Sequence, residues 1–175
     1  MKMTNRILVT YASRTGSTAE VAEAIGRTLA ETGAQVDVLP VQDVKDLTPY
    51  RAIIAGSAIR KSKWLPEAVQ FIRSHQTTLM HKPFAMFTVC ITLAMGTGQQ
   101  YRSAVENWVA PVRSLVRPLS EGLFAGMLNF SKLPLNWDTL MFRVSTALGI
   151  FPRGDHRDWN AIRAWAESLK PILRL

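Results

Sequence analysis

Cysteine is almost absent from this chain, and the lone thiol, Cys90, excludes an intramolecular disulfide framework and fits a reducing compartment. Histidine is scarce as well: no cysteine or carboxylate cluster joins His75, His81 and His156 at ligand spacing, so no metal set is expected. No apolar run is long enough to cross a bilayer and no signal-peptide pattern opens the sequence, which predicts a cytoplasmic protein with a peripheral membrane contact left open. Repeats, low-complexity tracts and hydrolytic triad signatures are missing, as are a Walker lysine and a Gly-x-Gly-x-x-Gly fingerprint. Acidic residues are outnumbered, 13 against 21 Lys and Arg, leaving a net charge of +8. That field favours an anionic bilayer surface or a polyanionic substrate, with a simple basic surface as the plainer alternative. Nucleic acid is not expected, because the basic residues are scattered and no recognition motif accompanies them. What is plentiful is apolar: 47% of the 175 residues are hydrophobic, a globular composition long enough for one domain, 1–175, with a sizeable core.

The most informative stretch is Ser13-Arg14-Thr15-Gly16-Ser17-Thr18. It follows the apolar run Ile7-Leu8-Val9 and precedes Ala19, Ala22, Ile25 and Leu29 at helical spacing. A strand that turns through hydroxyls and glycine into a helix offers backbone N–H groups and side-chain donors at the positive end of a helix dipole. Without a lysine, such a turn suits one phosphate held by neutral donors, as in a mononucleotide. A plain N-cap with no ligand is the alternative, but one cap needs one hydroxyl and this turn supplies four. Arg14 is read equally well as a phosphate contact or as a solvent-facing charge.

Strand patterns recur at 7–11, 35–39, 52–56, 84–89 and 119–124. Helical patterns fall at 15–32, 66–75, 101–116 and 159–173, with Pro111 expected to bend or shorten the third. Alternation of this kind predicts an α/β fold with a parallel sheet covered on both faces, in strand order 2-1-3-4-5, with ligand outside the carboxyl ends of strands one and three. One segment exceeds that plan. Between Gly126 and Asp158 lie some thirty residues where a few suffice, and long insertions of this kind usually carry function. Trp137, Leu140, Met141, Val144, Leu148 and Phe151 fall on one helical face there, a pattern that a helix packed on its own sheet would also show.

Two further loops leave the same sheet edge. In Ser57-Ala58-Ile59-Arg60-Lys61-Ser62-Lys63-Trp64, small residues leave room for a planar ring and three cations give a positive field. Trp64 either stacks on that ring or packs into its own domain, and the burial of most aromatics favours packing. In Cys90-Ile91-Thr92-Leu93-Ala94-Met95-Gly96-Thr97-Gly98, glycines and threonines without charge suit close backbone approach to a ligand edge. Cys90 itself reads better as a small apolar filler than as a reactive thiol. Asp155 or Asp158 is expected to cap the last helix, and a catalytic role for His156 has little to recommend it.

Together these residues resemble the flavodoxin-like superfamily, and within it the menaquinone-dependent protoporphyrinogen oxidase family. The phosphate turn is similar to the superfamily's FMN loop. Residues Ile54-Ala55-Gly56-Ser57-Ala58-Ile59-Arg60 resemble that family's third strand and loop. Trp137-Asp138, Met141-Phe142 and Gly149 resemble its long insert, and Asp155-x-x-Asp158-Trp159 the start of its last helix. The third loop here is more apolar than the family's, and the segment from Gly149 to Asp158 is shorter than in some members. The resemblance implies a three-layer flavodoxin-like fold with a five-stranded parallel sheet and a long helical insertion, about 126–158, after strand five. It implies FMN on Ser13, Arg14, Thr15, Gly16, Ser17, Thr18, Ser57, Ala58, Ile59, Arg60, Trp64, Cys90, Ile91, Thr92, Leu93, Gly96, Thr97 and Gly98. The implied activity is porphyrinogen oxidation in haem biosynthesis, with electrons passing to a membrane quinone, the insertion Gly126–Asp158 facing membrane or quinone, and no side-chain acid or base required. Competing expectations are a flavodoxin-type electron carrier, which the +8 charge disfavours, an NAD(P)H-quinone reductase, and an interaction domain without FMN.

Overall fold

The computed structural model describes residues 6–96, 99–128, 137–150, 152 and 154–174. In chain order the elements are β1 (Arg6–Ala12), α1 (Ser17–Ala30), β2 (Gln35–Pro40), β3 (Ala52–Arg60), β4 (Lys63–Trp64), α2 (Pro66–Ser74), α3 (Gln76–Met80), β5 (Phe84–Cys90) and α4 (Gln99–Arg113). There follow β6 (Ser120–Ala125), β7 (Met127–Leu128), α5 (Trp137–Ala147), β8 (Gly154–Asp155) and α6 (Trp159–Ile172).

Alternation of side chains along the central strands builds two cores at once. Leu8 and Ala12 of β1, Ile53 and Ala55 of β3, and Phe84 and Met86 of β5 meet α2 and α4 on one face. Ile7 and Val9, Ala52 and Ile54, and Ala85 and Phe87 meet Val21, Ile25 and Leu29 of α1 and Ile162, Ala166 and Leu169 of α6 on the other. The result is the expected three-layer α/β architecture. The parallel strands lie in the order β2-β1-β3-β5-β6, which is 2-1-3-4-5 counted among the parallel strands alone. The sheet has a sixth strand that the sequence reading lacks: β4 pairs antiparallel with the end of β3. In the middle of the sheet Gly56 stands in register with Phe87, and a Cβ there would lie 2.1 Å from the Phe87 ring. Glycine is needed at that position for close approach.

Other departures are local. The helix expected over 66–75 ends at Ser74, and the short α3 follows it. The helix expected over 101–116 begins at Gln99 and ends at Arg113, two residues after Pro111, in keeping with the expected shortening. The excursion after β6 is closed at its base, because β7 and β8 pair antiparallel, Met127 opposite Asp155 and Leu128 opposite Gly154.

Candidate functional site

The turns after β1, β3 and β5 emerge at one sheet edge, at the switch point between β1 and β3 where α/β folds of this order place ligands. The first turn is organised by Gly16, the N-cap of α1, whose φ of 90° is left-handed and natural to glycine. Ser13 Oγ accepts from Gly16 N at 3.0 Å, and Glu20 N donates to Gly16 O at 3.1 Å to begin the helix. No side chain caps α1, so the amides of Ser17, Thr18 and Ala19 have no intrahelical acceptor. The four hydroxyls divide their roles. Ser13 closes the turn, Ser17 Oγ accepts from Met127 N at 3.3 Å, and Thr15 is half-buried. Thr18 Oγ1 is buried and has no hydrogen-bond partner among the described residues.

Arg14 is exposed, as one of its two readings has it, and it is also paired. Both of its Nη atoms donate to the Glu67 carboxylate, Nη2 to Oε2 at 3.0 Å, strapping the phosphate turn to the first turn of α2.

The second loop is not a loop. β3 runs through Ala58, Ile59 and Arg60, and a tight turn at Lys61 and Ser62, with φ of 49° and 58°, returns the chain as β4. Two positive φ values are the mark of a type I′ hairpin turn. Ser57 is buried and works inside this hairpin: its Oγ donates to Ala58 O at 2.8 Å and accepts from Leu65 N at 3.0 Å. Trp64 takes the packing role and not the stacking one. The residue is 3% exposed, and its indole N–H donates to Thr88 Oγ1 at 2.9 Å inside the core. Ser57 and Trp64 side chains are therefore committed to the fold.

In the third loop Cys90 is buried at the end of β5, and burial pushes its thiol above the ordinary range, against a smaller opposing hydrogen bond from Thr92. Ile91, Thr92 and Leu93 form a half-buried 3-10 turn, Ile91–Ala94, and Gly96 is exposed with φ of 151°. Thr97 and Gly98 lie outside the described residues.

Sequence reasoning missed Arg157. Its side chain is only 4% exposed. Nη1 donates to Glu20 Oε2 at 2.7 Å and to Ser17 O at 3.4 Å, while Nε and Nη2 take the two oxygens of Asp155 at 2.8 and 2.6 Å. Its guanidinium also lies 4.5 Å from the centre of the Trp159 ring. One cation thus joins the first turn of α1, the base of the excursion and the start of α6. Hydrogen bonds from Arg157 hold the Asp155 carboxyl below its usual range, and Asp155 first, then Glu20, raise the guanidinium in return. The pattern Asp155-x-Arg157 was visible in the sequence, but nothing local pointed to Glu20, far away in the chain. The cap of α6 is Asp158, which accepts from Asn160 N and Ala161 N, both at 2.9 Å. His156 adds a backbone bond to Gly126 O at 3.3 Å.

Beyond its closed base the excursion carries α5, where Leu140, Met141 and Val144 are exposed, and Leu148 just after it is 73% exposed. The side chains of Trp137 and Phe142, and Phe151 entirely, lie outside the described residues. Among the described residues no helix is long and apolar enough to cross a membrane.

Compared with known proteins, residues 8–148 match the flavodoxin domain family. A protoporphyrinogen IX dehydrogenase (quinone) of Leishmania major is 28% identical over 174 residues, covering 95% of this chain and 75% of that protein. The Escherichia coli K12 protein of the same name is 28% identical over 86 residues, 48% of each chain, so the match spans about half of that relative's length. A short-chain flavodoxin associated with a non-canonical PDU bacterial microcompartment superposes with a TM-score of 0.59 at 12% identity, covering 96% of this chain and 98% of its own. At that identity the likeness concerns the fold alone.

Proposed function

The chain belongs to the flavodoxin domain family, and from that premise we propose that it is an FMN-dependent oxidoreductase that accepts electrons from a porphyrinogen and passes them to a membrane quinone. A flavin oxidoreductase of flavodoxin type is the coarser statement, and the family supports it directly. The observation that carries the reading is Thr18, a buried hydroxyl with no partner among the described residues, on the first turn of an uncapped helix. Unsatisfied buried donors are rare in folded proteins, and one beside open helix amides fits an acceptor-rich phosphate.

The amides of Ser17, Thr18 and Ala19, with the Thr18 hydroxyl, hold the FMN phosphate. The backbone of Ala58, Ile59 and Arg60 and that of Ile91, Thr92, Leu93 and Gly96 border the flavin ring. FMN, when bound, supplies the electron-accepting and electron-donating chemistry. The protein's part is to anchor and orient it, and the cations of the hairpin favour negative charge beside it. Donor and acceptor follow the naming of the relatives, the Leishmania protein aligning over 95% of this chain. The exposed apolar residues of α5 and the net charge of +8 support a peripheral contact with an anionic bilayer, where a quinone resides.

Anaerobic flavin reduction tests this reading. The FMN-loaded protein should be bleached by protoporphyrinogen and not by NADPH, and a menaquinone analogue should restore its oxidised spectrum. Bleaching by NADPH alone overturns the donor assignment, and failure to take up FMN overturns the whole proposal.

A further inference from the structure

The first turn of α1 carries an acid as well as open amides. Glu20 directly follows Ser17, Thr18 and Ala19. A carboxylate at that end of a helix stabilises the positive dipole. It also opposes a phosphate brought to the same amides, because both are negative and both draw on that dipole. Arg157 answers this carboxylate. Taking a guanidinium out of water is costly unless its donors are met. Here every nitrogen has an acceptor: Glu20 Oε2 and Ser17 O for Nη1, and the Asp155 carboxylate for Nε and Nη2, with Met127 Sδ at 3.6 Å from Nη2. A brace between β8 and α6 needs only the pair with Asp155. The further reach to Glu20 and Ser17 brings the cation to the turn that bears the open amides. Met127 completes a ring, since its N–H donates to Ser17 Oγ at 3.3 Å and it stands opposite Asp155 in the β7–β8 ladder.

We infer that Arg157 is a positioning residue for the cofactor phosphate: it holds the Glu20 carboxylate to one side and offsets its charge, so that the α1 turn selects the phosphorylated flavin over riboflavin. The inference rests on the proposed function and deepens it. Asp155 fixes the guanidinium in place through two of its nitrogens, which leaves Nη1 for the α1 turn. With Arg157 there, Glu20 serves the helix without excluding the phosphate. Without it, an uncompensated carboxylate stands on the turn that must accept an anion.

The test compares FMN with riboflavin on the full chain, each titrated at low salt and followed by quenching of flavin fluorescence. Riboflavin lacks the phosphate and therefore reports the ring site alone. Glu20→Gln should tighten FMN about threefold and Arg157→Ala should weaken it about threefold, the size of charge effects in the first turn of a helix. Both variants should bind riboflavin as the parent protein does. The double variant, with both charges gone, should return to the parent affinity for FMN, although its thermal midpoint falls with that of Arg157→Ala. The two single shifts should shrink as salt is raised. Glu20 is half-exposed, so Glu20→Gln folds and carries the test even where Arg157→Ala is too loose to assay. An equal loss of FMN and riboflavin in Arg157→Ala makes the residue a brace of the fold and overturns the inference. Unchanged FMN affinity in Glu20→Gln overturns it too. A parent protein that takes up no FMN sinks the functional proposal, whereas one that binds FMN while its variants lack this pattern sinks the inference alone.

Discussion

Thr18 and Cys90 are both buried at the site, and they make opposite demands on it. The Thr18 hydroxyl leaves water without gaining a partner among the described residues, at a cost of about 1–3 kcal/mol. Thr18→Val keeps the branched shape and removes that cost. It should raise the thermal midpoint of the FMN-free protein while weakening FMN about tenfold, read by calorimetry and by quenching of free FMN fluorescence. A fall in stability with unchanged FMN affinity would remove Thr18 from the site. Cys90 is inert by contrast, because burial holds its thiol above the ordinary range and the thiolate is the reactive form. Labelling with a thiol reagent at pH 8 should be slow in the native protein and complete in denaturant. The roles of these side chains were only partly legible. Cys90 as a filler follows from its apolar flank, and Trp64 as a packing residue follows from ordinary aromatic burial. The division of work among the four hydroxyls depends on partners such as Met127, which lies 110 positions from Ser17.

Helices and parallel strands were readable because 3.6-residue and buried-strand patterns leave a mark within ten residues. The β3–β4 hairpin was not, because its Lys-Ser turn lacks the glycine or asparagine that normally announces a type I′ turn. The Arg157 junction was equally hidden, since ion pairs between distant elements have no periodicity. Arg157→Ala should loosen α6 and the β7–β8 base together. Removing one member of a buried ion pair costs about 3–5 kcal/mol, and the partial exposure of Asp155 and Glu20 brings this toward about 2 kcal/mol. Hydrogen exchange should show faster opening around Asp155 and in the first turn of α1. Acid should act on the same junction. Asp155 has a folded pKa below its ordinary value of about 3.9, so its stabilising share is complete above that value and is lost as pH falls through the lower one. Asp155→Asn should therefore flatten the acid limb of the stability curve, measured as thermal midpoint against pH.

At the scale of the whole molecule, the three-layer architecture and the presence of an excursion were both legible, the first from alternation and the second from a length that no crossover needs. The direction of its apolar face was not, because a helix packed on its own sheet and one turned outward share a single pattern. Leu140, Met141, Val144 and Leu148 are exposed, and that exposure supports the outward reading proposed above. Replacing Val144 and Leu148 by serine should leave thermal stability within about 0.5 kcal/mol, as for other exposed positions. Co-flotation with phosphatidylglycerol vesicles should fall, and FMN binding should stay. Unchanged flotation would turn attention to the rest of the basic surface. The ladder between Met127 and Asp155 has a further meaning. It fixes the two ends of the excursion whatever lies between them, so a longer or shorter segment changes only the entropy of closure, by about 0.6 kcal/mol for each doubling of length. A lineage could thus replace the hanging segment as a cassette, changing the surface its redox centre serves while the sheet beneath goes on folding as before.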